Sequence, residues 1–548
     1  DSSDLGDDES GNGNDFASSG LTSSDSVLDS PTKNWCVWNN IDTSHNDNVT
    51  SDGNLVITTA SPGYTRFQLG TFGVTSGKWE WKWTPNASLS DAGIGVDDAT
   101  SQAATGASSG AFSSQSANGV IYRSNGQKIV GGTASSYGAS FATDDVIRVQ
   151  LDLDSGTKTI EFFKNDASQG TINLNDNVTY FPAQFSADAG LVTVCDFGQS
   201  GFTAATGFNL LNTSNLPAPT IKDGSEFFHV QTYTGSGSSG LAITNDANAG
   251  DFRPDLWWLA PRSNGDNHVF IDAVRGVTQR LKSNETAAED TDSPAQITFE
   301  TDGFDLDTTD PNFNGSGRTY VAWQWKESAT AGFDIVTDTG TGSAHTISHS
   351  LGVTPEFIFR KDRTATADPG WVVWHKNLGG ANYYLNLHDT GAKDTSVNYW
   401  NNTLPTSSVF SVGSSNGTNQ NTKTFVTYLF ASVPGFSSIG SYQGNGNADG
   451  VFVGLNFRPA FVMLKRIDSA DNWVIVDSAR NPFNAANLRL YADTNNADIT
   501  SVTHDFLSNG FKLRASDGGV NASGGTYIYM AFAEHPFANP DGAPVTAR

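Results

Sequence analysis

Thr319-Tyr320-Val321-Ala322-Trp323-Gln324-Trp325 returns as Thr424-Phe425-Val426-Thr427-Tyr428-Leu429-Phe430 and again as Thr526-Tyr527-Ile528-Tyr529-Met530-Ala531-Phe532. Upstream of each copy stands a proline followed by an apolar run: Pro254 before Leu256-Trp257-Trp258, Pro355 before Phe357-Ile358-Phe359, and Pro459 before Phe461-Val462-Met463. The prolines are spaced 355 − 254 = 101 and 459 − 355 = 104 residues apart. Thr319, Thr424 and Thr526 are spaced 424 − 319 = 105 and 526 − 424 = 102 apart. Two markers at opposite ends of one unit keep one period, which chance does not give. The runs are β-branched and aromatic, bounded by Gly, Asn, Asp and Ser, the pattern of strands. A proline just ahead of a strand removes no ladder bond. A period this long exceeds the roughly 20–50 residues of a solenoid unit and fits a small β domain with its own core.

The alignment extends between the markers. Each copy opens on an aromatic residue and a Gly-x-Gly: Phe228 with Gly235 and Gly237, Phe333 with Gly340 and Gly342, Phe436 with Gly444 and Gly446, the third opening one residue longer (444 − 436 = 8). A central strand follows at Val269-Phe270-Ile271, Trp371-Val372-Val373-Trp374 and Trp473-Val474-Ile475-Val476. Asp272 and Asp477 match, with Arg275 and Arg480 after them, and are read as ion pairs; the second repeat has His375 at the acid's position. Three homologous small β domains are expected at 219–330, 331–434 and 435–535, with a Pro/Gly/Ala-rich tail at 536–548.

Composition agrees with an all-β chain. Hydrophobic residues are 37% and charged residues 16% of 548, below ordinary globular usage. Gly, Ser, Thr, Asn and Asp fill the deficit, while 34 Phe and 13 Trp exclude disorder. The net charge of −27 repels nucleic-acid phosphates and anionic membrane surfaces. Two cysteines, Cys36 and Cys195, make no disulfide framework; one bridge and two buried thiols both fit. No apolar run approaches the roughly 18 residues of a membrane helix, and no signal peptide is visible. Because the chain opens on Asp1, an N-terminal piece is expected ahead of it.

Residues 1–27 are acidic and small, an expected linker. Ser10-Gly11-Asn12-Gly13-Asn14-Asp15 resembles a turn of concanavalin-like (laminin-G-type) jelly rolls, which implies the end of such a domain upstream. Its oxygens could hold Ca²⁺, although the spacing is not that of an EF-hand loop. In 28–218, Gly77-Lys78-Trp79-Glu80-Trp81-Lys82-Trp83 alternates as a half-buried strand does. A hairpin runs from Val146-Ile147-Arg148-Val149-Gln150-Leu151 through Ser155-Gly156 to Ile160-Glu161-Phe162-Phe163. With Tyr180-Phe181-Pro182-Ala183 and Phe197-Gly198-Gln199, these segments resemble the SPRY domain, a bent antiparallel β-sandwich. The resemblance implies a binding module without catalysis, using loops at one end; the long candidate loop is 100–118. The stretch 202–221 reads as a linker, with Pro217 and Pro219 ending any element.

The whole order of features is similar to the tail-fibre-like virion structural proteins of marine tailed bacteriophages. The repeat wording carries that resemblance, in Asp272-Ala273-Val274-Arg275-Gly276-Val277, Thr319 to Trp325 and His345-Thr346-Ile347-Ser348-His349-Ser350-Leu351-Gly352-Val353-Thr354-Pro355. It implies an extracellular virion appendage, partnered by other virion proteins and by itself as a homotrimer, that contacts a host-surface glycan or protein. The alternatives are a secreted carbohydrate-binding or carbohydrate-active protein and a capsid-bound decoration protein.

Catalytic motifs are absent: no Gly-x-Ser-x-Gly elbow, no His-Glu-x-x-His and no supported Cys/His arrangement. No catalytic residue, metal site or cofactor is therefore expected, although fifty-eight acids leave a glycosidase pair open. His345 and His349 have the zinc spacing of a helix, but their context reads as strand or loop. Trp323, Trp325, Trp371 and Trp473 hold positions apolar in every copy and belong to the core. The binding candidates lie in the variable middles of repeats two and three, where the segments 389–407 and 493–508 differ most. They are Trp400, Tyr383, Tyr384, Asn401 and Asn402, with Asn495 and Asn496, whose rings and amides suit sugars.

Overall fold

A computed structural model describes residues 5–8, 11–15, 17, 19, 29, 33–41, 48–59, 66–98, 116–176, 178–245, 252–364 and 370–533. Most of the acidic lead, the candidate loop through residue 115 and the tail 536–548 lie outside them. The chain is a multidomain all-β protein of antiparallel sheets with only single-turn helices among the described residues. It divides into two units, one running to Ala218 with Val451–Asn456, the other Pro219–Gly450 and Phe457–Phe537.

The first unit is a β-sandwich. One sheet runs in the order Asn48–Ser51, Val56–Thr59, Val192–Asp196, Lys78–Ala87, Ile147–Asp152, Thr159–Lys164, Ala167–Asn173. The other runs Arg66–Leu69, Phe181–Ser186, Ala92–Asp97, Val120–Arg123, Gln127–Val130, Thr133–Ser136. Alternation puts Trp79, Trp81 and Trp83 on the inner face, where they meet Ile94, Val96 and Tyr122 of the opposite sheet. Cys36 and Cys195 are buried in this core without a disulfide between them, and burial pushes the Cys195 thiol up. The stretch 202–221 is more than a linker. Asn209–Leu210 pairs in parallel with Trp79 and Glu80, and the Cys36 amide donates to the Leu211 carbonyl at 2.9 Å. A two-residue strand is too short to show a period, so it left no sequence signal.

Gly95 marks a close backbone approach: a Cβ there would sit 1.9 Å from the Val120 carbonyl oxygen. Gly95→Ala must push two central strands apart, and urea unfolding is expected to show a loss of about 1–3 kcal/mol.

The second unit builds one sheet pattern three times. The opening strands are Phe228–Thr234, Phe333–Thr339 and Ser437–Gln443, and the closing strands Thr319–Trp325, Thr424–Phe430 and Thr526–Phe532. The second strands are Leu256–Pro261, Phe357–Asp362 and Phe461–Arg466, the third Val269–Asp272, Trp371–His375 and Trp473–Asp477, the fourth Gln279–Lys282, Tyr383–Asn386 and Ala486–Tyr491. In space the order is opening, closing, second, third, fourth. Pro254, Pro355 and Pro459 each lie two residues ahead of the second strand, and Thr319, Thr424 and Thr526 begin the closing strand.

Register corrects the third opening. Ser437 pairs with Phe532 as Phe228 does with Trp325 and Phe333 with Phe430. Ser437, not Phe436, therefore matches Phe228, and the extra residue disappears (444 − 437 = 7, as 235 − 228 = 7). Phe436 is buried one position earlier against Phe532, with ring centroids 5.8 Å apart.

The repeats do not have three separate cores. Val321, Trp323 and Trp325, with Val426, Tyr428 and Phe430 and with Ile528, Met530 and Phe532, all face one shared core. The opposite faces of the first two sheets carry local clusters. Trp257, Ile271 and Tyr320 pack on the small sheet of Leu241–Ile243, Phe304–Leu306 and Ile297–Phe299, and Ile358, Val372 and Trp374 pack on Phe410 and Val412. Because closing strands are covered on both faces, they read as nearly continuous apolar runs.

Candidate functional site

The polar residues that recur at the repeat period are spent on the fold. Asp272 and Arg275 are fully buried and paired at 2.5 Å, and Asp477 and Arg480 at 2.6 Å, as expected. Each acid also reaches a neighbouring repeat. Tyr428 Oη donates to Asp272 at 2.7 Å and Trp323 Nε1 to Asp477 at 3.1 Å. In the second repeat His375 and Leu378 occupy the acid and arginine positions, both buried. Burial holds the His375 imidazole at about 3, so it is neutral.

The seams repeat in cyclic order. The Glu289 amide donates to the Arg363 carbonyl at 2.8 Å, Lys393 to Ile467 at 3.0 Å, and Asp498 to Arg262 at 2.8 Å. The first repeat thus binds the second, the second the third, and the third the first. Trp371 Nε1 donates to the Lys282 carbonyl at 2.7 Å and Trp473 Nε1 to that of Asn386 at 2.8 Å. At the equivalent place in the first repeat stands His268, buried with both ring nitrogens unbonded and held neutral, near 3, by burial and then by Arg480.

One recurring side chain escaped the sequence reading. Asn314, Asn419 and Asn521 are fully buried. Each accepts from the residue inside the Gly-x-Gly turn, at Ser236, Thr341 and Asn445 (2.7, 2.7 and 2.9 Å). Each also donates to two carbonyls: Ser238 and Thr308, Ser343 and Gly413, Asn447 and Ala515. Their spacing, 419 − 314 = 105 and 521 − 419 = 102, equals that of the closing threonines. The signal was present, but in an amide rather than an acid.

Two carboxyl groups of the second unit are pushed up to about 7. Burial, then a hydrogen bond with Asp334, raises Glu327 to about 7 at the junction of the first two repeats. Burial raises Asp493 to about 7; it accepts from the Trp473 amide at 2.8 Å while its other oxygen is unbonded. In the first repeat the same capping role falls to Asn284, which accepts from the His268 amide at 3.2 Å. A folded pKa raised above the unfolded value means that folding takes up a proton. The contribution is complete below about pH 4 and is lost as pH rises through about 7. Asp493→Asn is expected to melt with the parent at about pH 4 and above it at about pH 8, read by thermal melts across that range.

The named binding candidates scatter. Trp400 is not a surface residue: it is 3% exposed and packs with Phe410 and Val412, because the single helical turn Val397–Trp400 aims its last side chain inward. Tyr383 leans on the shared core under the Lys393 ammonium, 4.7 Å from its ring, while Tyr384 leans the other way. Tyr384 lies against Tyr399, which was not singled out, with centroids 4.2 Å apart. Asn401 and Asn402 are exposed at left-handed φ of 51° and 45°. Asn495 and Asn496 are exposed in the third repeat, Asn495 reaching the Gly265 carbonyl at 3.4 Å. His345 and His349 bond the Ser343 and Thr406 carbonyls, each at 3.0 Å. His345 opens the strand His345–Ser348, where four residues span about 13 Å, too far to share one ion. In the acidic lead the Asp15 and Asp8 carboxylates accept the Asp8 and Asn14 amides at 2.8 and 3.0 Å. Among the described residues no helix is long and apolar enough to cross a membrane.

Fold and seams together define a multidomain all-β protein whose second unit is a closed threefold repeat. The chain belongs to the family described as Domain of unknown function (DUF7483), whose model matches residues 223–536, more than half of it. Among the solved structures similar to it are two SPRY domains. The SPRY domain of human HERC1 is 17% identical at a TM-score of 0.22, covering 32% of this chain and 99% of that one. A human SPRY domain is 13% identical at 0.20, covering 26% and 91%. No curated protein matches.

Proposed function

We propose that this chain is a non-catalytic structural protein of a virion, a tail fibre or fibre-like appendage of a tailed bacteriophage, that attaches to the host surface outside the cell. One observation carries the reading. The side chains that keep their place across repeats, Asp272 and Asp477, Arg275 and Arg480, Asn314, Asn419 and Asn521, are buried and bonded into turns and seams. The exposed Asn- and Thr-rich segments between them differ from repeat to repeat. That is a rigid scaffold carrying variable loops, where recognition residues concentrate. The sequence resemblance supplies the setting, and the SPRY-like first unit adds a second binding module. Other virion proteins are the expected anchors, and closed symmetry favours a homotrimer. Immunogold labelling of purified virions tests the reading: label on a tail appendage is the expected result. Label over the capsid shell makes it a decoration protein, and antigen in the medium but not on virions makes it a secreted one.

A further inference from the structure

The second repeat lacks a strand that the other two have. In the first and third, strands Ile297–Phe299 and Ile499–Leu507 pair with Phe304–Leu306 and Gly510–Leu513. In the second, Val409–Val412 sits in a two-stranded sheet with His345–Ser348, and the helical turn Val397–Trp400 precedes it. The turn is fixed from behind. The Tyr399 carbonyl accepts from the Gly413 amide and from Thr418 Oγ1, both at 2.9 Å. The Asn398 carbonyl accepts from the Ser415 amide at 3.0 Å, and Trp400 plugs the core beneath. It ends in two successive asparagines at positive φ, a left-handed backbone that asparagine adopts readily and that closes the helical turn.

Its outer side is amphipathic. The Tyr384 and Tyr399 rings lie together at 42°, and Tyr384 Oη donates to Asp394 Oδ2 at 3.2 Å. Val397 and Leu404 are 57% and 59% exposed, and Asn398, Asn401 and Asn402 are exposed amides on the same turn. Residues 394–412 contain no Lys or Arg. Lys393, just ahead of the segment, is committed to the Leu378 carbonyl at 2.8 Å and to the Tyr383 ring, and Arg360, over the Phe410 ring, is paired with Asp338.

We propose that this face binds a neutral glycan, the Tyr384–Tyr399 pair stacking on a sugar ring while the amides of Asn398, Asn401 and Asn402 and the Asp394 carboxylate bond its hydroxyls. The proposal rests on the host-attachment reading and gives it a ligand class. Aromatic faces are hydrophobic and suit the C–H side of a pyranose, and amides and a carboxylate match its hydroxyls. An anionic sugar would meet Asp394 and a chain of net charge −27 with no countercharge from this segment. A turn already ordered in its binding conformation carries little ordering cost.

The test uses the full chain against immobilised neutral oligomers of glucose, mannose, galactose and N-acetylglucosamine, with uronic-acid oligomers alongside. The parent is expected to bind a neutral oligomer, and Tyr399→Ala and Asn398→Ala each to weaken it by about tenfold. Asn398 is exposed, so Asn398→Ala keeps the parental melting temperature and excludes misfolding as the cause. No binding by the parent, preference for uronic oligomers, or unchanged binding by Asn398→Ala overturns the site. Adsorption of labelled chain to the cells that propagate the virion separates the two levels. Equal adsorption by parent and variants leaves the attachment reading standing and removes this site; no adsorption by the parent removes both.

Discussion

Asp477→Ala is expected to destabilise the second unit by about 3–5 kcal/mol, the cost of leaving one buried charge without its partner. Asp477 accepts from the Arg480 side chain at 2.6 Å, from the Arg480 amide at 2.8 Å and from Trp323 at 3.1 Å. Truncation strands the last two donors and leaves the guanidinium with Asp498 at 2.8 Å and the Ile475 carbonyl at 3.1 Å. The loss is a large share of the roughly 5–15 kcal/mol that holds a typical domain. The second repeat shows another solution at the same place, His375 with Leu378. The double change Asp477→His with Arg480→Leu removes both charges and is expected to cost less than Asp477→Ala alone, since a buried pair replaced as a pair can be near neutral. Urea unfolding of the three proteins gives the comparison, and a double variant weaker than the single one would refute it.

Trp325→Ala is the second large effect, about 3–5 kcal/mol for truncating a fully packed tryptophan. Its ring meets Phe228 of its own repeat at 5.1 Å, Phe430 of the second at 6.2 Å, and Phe461 and Phe532 of the third at 5.8 and 5.9 Å. One cavity therefore opens against all three sheets. Hydrogen exchange is expected to quicken together in the three closing strands, and one calorimetric transition is expected for the unit. Quickening confined to Thr319–Trp325 would show that the repeats are independent after all.

The period, the strands and the Asp–Arg pairs were legible because each is local: a proline before a strand, an apolar run, an acid three residues before an arginine. The shared core was not. A strand apolar at nearly every position, such as Tyr320 to Trp325, has two buried faces, but its sequence does not say that one meets sister repeats and the other a small sheet. Trp400 misled for a related reason. A segment that varies between repeats reads as surface, yet a one-turn helix has too few residues to show which face turns inward. The charged positions that recur, Asp272 and Asp477 with Arg275 and Arg480, draw the eye first. Asn314, Asn419 and Asn521 kept the same period unnoticed, and an amide that both donates and accepts suits a buried turn without a charge to neutralise.

The cyclic seams have a consequence for valency. A ring made of three identical subunits presents every loop three times, and any substitution appears on all three sides at once. Here the three sectors are written separately in one chain, so a turn such as Val397–Trp400 arises in one sector while the other two keep their strands. Each ring then offers one copy of each of three different faces. Avidity, the usual gift of symmetry, must come from how many chains are gathered together, while each sector is free to acquire a different specificity.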